Sequence, residues 1–469
     1  VNDATLTVRI HDLAHGGEGV GRVEAPRDSE GEPEGRVCFV EGALPGELVR
    51  VAIDARHKRW LRGHVVELLA ASEAPLRAEP PCPLADRCGG CSWQHVAPAA
   101  QAELKQGIVA GQLRRLPLPP KGPHFTIVAS PSALGYRRRA RMHYTRTPGG
   151  LSLGFFGHHS REVVDCERCL VLDAALDWAL QQARAWASWL PSTGEILGLS
   201  NGREVVLGLP GVRPDPELEA AIRAVIEASQ AAAEQDEQAP VLLGVQLRGG
   251  RGRHGVGQTW LELDSVPGSA TLPVVQGPFT FSQAQAAQNH ALVEHVADMA
   301  AAAGSGSAEG PRILELHAGV GNFSRVLARV GRRVWASDAD REAVATLQRT
   351  VERWGLSVNV KRAQAERLLA KLAEGDRPYD VIVLDPPRAG IGEQAARDLA
   401  QVVRRRVVYV SCDPATLARD LQAMLAADAS LRLVDVRVFD MMPMTPEVEV
   451  VATVERSGER SGDRSGAGR

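Results

Sequence analysis

The chain has 469 residues, a formal net charge of -3, 24% charged and 44% hydrophobic residues, so a globular protein of about two to four compact units is expected. The near-neutral balance excludes binding to nucleic acid by bulk charge and leaves any basic surface local. No apolar run approaches the ~20 residues of a membrane span and no charged-then-apolar leader opens the sequence, so a cytoplasmic monomer without a membrane partner is expected.

Residues 1–70 read as a small β-barrel of the kind that binds oligonucleotides. Leu6, Val8 and Ile10 alternate, a turn follows at His15-Gly16-Gly17-Glu18-Gly19, and Val37 to Val40, Leu48 to Ile53 and His64 to Leu68 are strand-like. No helix follows the glycines, so they are not a dinucleotide fingerprint. Glu41-Gly42-Ala43-Leu44-Pro45-Gly46-Glu47 resembles the TRAM domain, which implies RNA binding. The basic run Arg56 to Arg62 suits phosphate contacts or a solvated face.

Residues 71–272 read as a central, mainly antiparallel β domain, opened by a cysteine loop with Cys82, Cys88 and Cys91. A helical pattern from Ala99 to Leu116 is expected to pack on the C-terminal domain. Residues 126 to 270 alternate as antiparallel strands around two amphipathic helices, Ala174 to Leu190 and Asp215 to Ala233. The strand Tyr136 to Tyr144 mixes arginines with aromatics, as RNA-contacting surfaces do, although such arginines also face solvent or pair with acids. Clustered cysteines in a cytoplasmic chain point to metal or redox sites rather than disulfides, and the spacings Cys88-x2-Cys91 and Cys166-x2-Cys169 by themselves suggest zinc.

From 273 to 455 the rhythm becomes strand-helix alternation, the signature of a doubly wound, Rossmann-like parallel sheet, with strands expected at Ile313 to His317, Val334 to Asp338, Val381 to Asp385 and Val407 to Ser411. The first runs into His317-Ala318-Gly319-Val320-Gly321-Asn322, a turn that lets a ligand approach the backbone. Asp338 ends the next strand, where a carboxylate takes ribose hydroxyls or serves simply as a strand-end group. The glycines fall short of a pyrophosphate-binding GxGxxG, so a nucleoside such as S-adenosylmethionine fits better than NAD. Asp385-Pro386-Pro387-Arg388 closes the third strand. Arg388 stands where amino-group methyltransferases place a stacking aromatic, which argues against that chemistry. Residues 456–469 read as a disordered tail.

Val407 to Asp420 holds the sharpest signal. A β-branched strand stops at Ser411-Cys412, and Asp413-Pro414 starts a helix, which presents Cys412 at the rim of the sheet as a candidate nucleophile; a buried core cysteine is the alternative.

With LELHAGVGNFS, LDPPRAG and VSCDPATLARD in this order, nearly the whole chain resembles the RNA uracil-5 methyltransferases, which act on 23S rRNA and tRNA. The resemblance implies that S-adenosylmethionine methylates C5 of a flipped-out uracil in structured RNA, with the TRAM-like start favouring 23S rRNA over tRNA uridine-54. Cys412 would add to C6, make C5 nucleophilic, and need its thiol either acidified or deprotonated on attack. Glu449 would remove the C5 proton, with Glu447 as a backup base; both also suit the solvent face of an alternating strand. Met444 and Glu447 replace two histidines of the family pattern, which admits a catalytically impaired RNA-binding protein as an alternative. The resemblance further implies cofactor contacts from Gln283, His317, Gly319, Asn322, Asp338, Gln364 and Asp385, the last also touching the uracil edge. Gln283 and Gln364 equally suit ordinary polar surface. It also implies a [4Fe-4S] cluster on Cys82, Cys88, Cys91 and Cys169 rather than zinc, leaving Cys166 spare. RNA cytosine-5 methylation uses related thiol chemistry but a different nucleophile loop.

Overall fold

The computed structural model describes residues 5–24, 35–118, 122–250, 252–263, 272–303, 310–330, 333–375 and 379–457. The expected tail beyond Ser457 lies outside them. The first unit is built by alternation. In β1 (Thr5–Leu13), β2 (Gly19–Val23), β3 (Val37–Glu41), β4 (Leu48–Arg56) and β5 (Trp60–Ala70) inward and outward side chains alternate, and the strands close in the order β1-β2-β3-β5-β4. Closure removes exposed edges. Cys38 lies in the barrel core with Val8, Val40 and Val51, where burial pushes its thiol up to about 12 and makes it a packing residue.

After the cysteine loop comes α1 (Pro98–Leu113), begun by a proline at a position where a missing N–H costs no helix bond. Its Val109 and Leu113 enter the core of the C-terminal sheet. β6 (His124–Val128) differs from expectation. The sequence pattern assigns 126 to 270 to the antiparallel central domain, yet β6 adds in parallel to the far edge of the C-terminal sheet. Alternation specifies a strand and its buried face but not its partner, and the bond from His124 Nδ1 to Asp435 (2.9 Å) that helps fix this register joins residues 311 apart in sequence.

The central sheet runs β13-β12-β11-β10-β7-β8-β9, formed by β7 (Arg139–Thr147), β8 (Gly150–Phe156), β9 (Val163–Asp165), β10 (Thr193–Ser200), β11 (Glu204–Pro210), β12 (Val241–Arg248) and β13 (His254–Gly257). All its pairs are antiparallel except β11 with β12. Helices α2 (Ala174–Gln182) and α3 (Pro216–Gln235) cover it, each capped by an aspartate, Asp173 or Asp215, that accepts first-turn N–H groups. A short ribbon, β14 (Leu261–Leu263) with β15 (Val274–Gln276), leads to the last unit.

That unit alternates α4 (Ala286–Ala302), β16 (Arg312–Leu316), α5 (Ser324–Val330), β17 (Arg333–Asp338), α6 (Arg341–Trp354), β18 (Val358–Arg362), α7 (Ala365–Ala373), β19 (Tyr379–Leu384), α8 (Gly392–Val402), β20 (Val403–Ser411) and α9 (Pro414–Ala427), then closes with β21 (Leu431–Phe439) and β22 (Glu449–Arg456). The sheet order is β18-β17-β16-β19-β20-β22-β21-β6, and β22 alone runs against its neighbours. The chain winds outward from β16 in one direction and from β19 in the other, so a ligand crevice is expected beyond the carboxyl ends of these two strands. The mixed α/β architecture matches the sequence reading. β22 does not alternate, because its first six residues are all buried, and this removes Glu449 from any solvent face.

Candidate active site

The crevice at the strand reversal is a cavity of about 790 Å³ whose wall includes Gln283, His317, Gly319, Asn322, Asp338, Asp385, Arg388, Cys412 and Glu449. Residues far apart in sequence therefore converge. Cys412 is half-buried and opens into the same space as Gly319 and Asp338, which rules out an occluded core cysteine. Gln364 stands apart: it precedes α7 as its cap residue and is not in the cavity wall.

The end of β16 supplies the cofactor side. His317 sits at φ 55°, a left-handed conformation costly for a side chain with a Cβ and concentrated at functional sites. Its Nε2 is buried without a protein partner, and burial lowers its pKa, so a neutral imidazole faces the cavity. Asp338 uses one carboxylate oxygen to accept from Gly319 N (2.9 Å) and the other from Asp340 N (2.8 Å), which fixes it at the pocket floor. The Asn322 and Asn289 side-chain amides bond each other reciprocally (2.8 and 3.0 Å), tying the turn before α5 to α4. Gln285 donates to Ser130 Oγ at 2.8 Å and is absent from the cavity wall.

The chemical side is set by β19 and β20. Asp413 caps α9, accepting from Ala415 N (3.0 Å) and Thr416 N (2.9 Å), and so fixes the turn that bears Cys412. The Asp385 to Arg388 loop is anchored on the same helix. Asp420 is fully buried and accepts from Tyr409 Oη (2.7 Å) and Ile391 N (2.8 Å). Gly390, at φ 69°, is required there, since a Cβ would lie 2.3 Å from Asp420 Oδ2.

Electrostatics divide these groups. Burial pushes Cys412 up to about 12, reinforced by Glu449, Asp385 and Glu447 and opposed by Arg388. The resting thiol is therefore protonated, and of the two routes expected, acidification or deprotonation on attack, the free protein supports the second. Burial likewise raises Asp385 to about 7 and Glu449 well above the carboxylate range, with Asp385 and Glu447 adding to the Glu449 shift and Arg388 and a hydrogen bond from Gln283 opposing it. Gln283 therefore touches the candidate base, and Glu449 Oε2 is buried without a partner. Behind them Glu315, fully buried on β16 and bonded to Ser324, is raised to about 8 by burial and by its carboxylate neighbours.

The loop before Glu449 is held by residues that the sequence reading did not single out. Lys105 of α1 is fully buried and donates to Asp440 (2.5 Å) and to the Met442 carbonyl (3.0 Å). Gln101 accepts from Met444 N (2.8 Å), Trp93 N donates to the Met444 carbonyl (2.8 Å), and Tyr136 Oη donates to the Pro443 carbonyl (3.0 Å). A lone lysine and glutamine on a weakly amphipathic helix were the available signal. Glu447 pairs with Arg388 at 2.5 Å.

The comparisons bear directly on this arrangement. Residues 271–457 match the tRNA (Uracil-5-)-methyltransferase family model and residues 3–66 the TRAM domain. A 23S rRNA (uracil(1939)-C(5))-methyltransferase RlmD of Halomonas elongata is 33% identical over 95% of this chain and 88% of its own. The family is thus decided. The chain belongs to the S-adenosylmethionine-dependent RNA uracil-5 methyltransferases. Another RlmD, from Acidithiobacillus ferrooxidans, is 33% identical over 96% of the chain and 97% of its own length. The fold also matches the Pyrococcus abyssi tRNA (uracil-54, C5)-methyltransferase in complex with S-adenosyl-L-homocysteine, with a TM-score of 0.68, 20% identity, and 96% and 99% of the two chains covered.

In this uracil-5 methyltransferase the remaining cysteines gather elsewhere. Cys82, Cys88, Cys91, Cys166 and Cys169 line one small pocket together with Arg137, Phe155 and Met444, and among the described residues no carboxylate or imidazole shares its wall. Burial and neighbouring thiols raise Cys88 and Cys91, the latter to about 12, while a hydrogen bond from Cys166 lowers Cys169 to about 7. Among the described residues, no three His, Cys, Asp or Glu side chains are drawn together as for a single bound ion.

Proposed function

We propose that this enzyme methylates C5 of a uridine in 23S rRNA through a transient bond between Cys412 and C6. The observation that carries the reading is the shared cavity, in which the Cys412 thiol, the Glu449 carboxyl and the Gly319-Asp338 end of β16 face one space. S-adenosylmethionine fits the cofactor end on chemical grounds, because the unpartnered His317 Nε2 and the Asp338 strand end offer a nucleoside polar contacts beside a buried wall. When bound, the cofactor supplies an electrophilic methyl group.

The chain's own residues do the rest. The thiol proton leaves as sulfur adds to C6, the electron pair moves to C5, and C5 takes the methyl. Glu449, once ionised, then accepts the C5 proton and the sulfur is expelled, so only the methyl gain and one released proton remain. Arg388 favours the ionised forms of both Cys412 and Glu449. The loop substitutions are compatible with activity, since Met444 is held through its backbone by Trp93 and Gln101, and Glu447 has a cationic partner.

The 23S rRNA assignment draws on the rRNA enzymes at 33% identity. The test offers 23S rRNA and tRNA transcripts with methyl-labelled cofactor, alongside 5-fluorouridine RNA. Label on 23S rRNA and a Cys412-linked adduct are expected; label on tRNA alone would reassign the substrate, and transfer without an adduct would end the covalent route.

For the cysteine pocket, Cys82, Cys88, Cys91 and Cys169 would hold a [4Fe-4S] cluster. An all-thiol donor set beside the Arg137 cation suits either iron-sulfur or zinc, and the family resemblance is what favours the cluster. Metal analysis giving one zinc and no iron per chain would overturn this.

A further inference from the structure

The first barrel hairpin reaches into the catalytic unit. His15 Nε2–H donates to Asp413 Oδ2 at 3.1 Å, across 398 residues of sequence. Asp413 directly follows Cys412, and its other oxygen caps α9, so its two carboxylate oxygens join the barrel to the nucleophile turn. The same hairpin turn meets the loop that carries the candidate base. Gly17, at φ 82°, gives its carbonyl to Trp93 Nε1 (3.1 Å), and a Cβ there would lie 2.7 Å from Pro446. Pro446 precedes Glu447 and Glu449 in that loop, and Trp93 also donates to Met444.

The turn is also braced from behind. Ala14 N donates to the Glu18 carbonyl (2.8 Å) and Gly17 N to the Ala14 carbonyl (2.9 Å), while Glu18 takes Arg62 of β5 at 2.8 Å. A braced turn that touches the nucleophile helix on one side and the base loop on the other can set their separation.

We infer that His15 is a positioning residue for methyl transfer: through Asp413 it fixes the Cys412 turn, so the barrel governs turnover as well as RNA contact. The inference rests on the proposed role of Cys412. A hydroxyl or aliphatic side chain could not span the distance to Asp413, whereas an amide of similar reach could restore the donor.

The test compares wild type with His15→Ala and His15→Gln in the full chain. For His15→Ala, kcat is expected to fall about tenfold with KM for RNA within about twofold, because a misplaced nucleophile lowers the rate after binding, and His15→Gln is expected to recover most of the loss. Peptide-resolved iodoacetamide alkylation of Cys412, with no RNA or cofactor, is expected to change severalfold in His15→Ala and return in His15→Gln. This readout stands even if wild type methylates neither RNA, so failure of the proposed function is separable from failure of the inference. Unchanged alkylation together with unchanged kcat would overturn it. A raised KM at constant kcat would also overturn it and make His15 an RNA contact.

Discussion

Cys412 and the cysteines of the central pocket are the same group in opposite company. Cys412 opens into a large cavity among Asp385, Glu449 and Arg388, whereas Cys88, Cys91 and Cys169 face one another, an arginine and apolar walls. Burial raises the thiol pKa to about 12 at both Cys412 and Cys91. Thiol acidity in the free protein therefore does not separate a nucleophile from a ligand; neighbours do. Carboxylates line the wall around the first, whereas the wall around the second holds other sulfurs, a cation and apolar side chains but no carboxylate among the described residues. Cys412→Ala should break that contrast most sharply. Loss of the nucleophile is expected to lower methyl transfer by more than about a thousandfold with little change in thermal stability, while Cys91→Ala should lower stability and metal content first. Labelled-methyl assays beside thermal unfolding of both variants would decide it, and comparable activity losses with no difference in unfolding would erase the distinction.

The same contrast explains what was legible in the sequence. Cys412, Asp385 and Gly319 are readable because each lies in the turn just past the end of a strand, and those turns of a doubly wound sheet face the ligand crevice whatever the rest of the chain does. Burial of Glu449 was not readable, because β22 is covered on both faces by elements remote in sequence. The partner of β6 and the roles of Lys105, Gln101 and His15 were hidden for the same reason: each depends on a contact more than 300 residues away. The Gln364 expectation rests on the family resemblance alone, and the backbone carries this residue to a helix cap outside the cavity wall.

Lys105 sharpens the comparison from the structural side, since its pairing with Asp440 lies beneath the base loop while its helix leads away from the cysteine loop. Burial lowers the Lys105 pKa, and Asp440 opposes the shift. Removing one partner leaves the other charge buried, so Lys105→Met is expected to cost about 3–5 kcal/mol of stability. Chemical denaturation would measure it, and a double variant with Asp440→Leu should recover part of the loss. A loss below about 1 kcal/mol would mean the loop is held mainly by Gln101 and Trp93.

Protons supply the next test. Cys412 and Glu449 both rest protonated and in the proposed cycle both lose a proton, so kcat/KM should rise with pH, by up to about tenfold per pH unit for each proton lost. Stability should move the other way. Glu315 is raised from 4.5 to about 8, so its neutral burial is fully tolerated below the unfolded value and stability is lost as pH rises through about 8. Glu315→Gln should flatten that decline without flattening the rate profile. Opposite slopes for rate and stability are the expected signature, and parallel slopes would tie the rate to unfolding.

The smallest effect concerns Glu447, which either abstracts the proton itself or only holds Arg388. Its carboxylate raises both Cys412 and Glu449, while the arginine it grips lowers both. Glu447→Gln therefore removes an inhibitory charge and loosens an activating one. The pair is solvent-facing, with Arg388 66% and Glu447 34% exposed, and such pairs are worth about 0–1 kcal/mol, so the two changes nearly cancel. Turnover should shift by less than about fivefold, with the acid limb of the pH profile moving to lower pH if the direct charge effect dominates. A general base in its place would cost on the order of a hundredfold or more when neutralised. The size of the loss thus separates the two roles, and a large one would transfer the proton abstraction from Glu449 to Glu447.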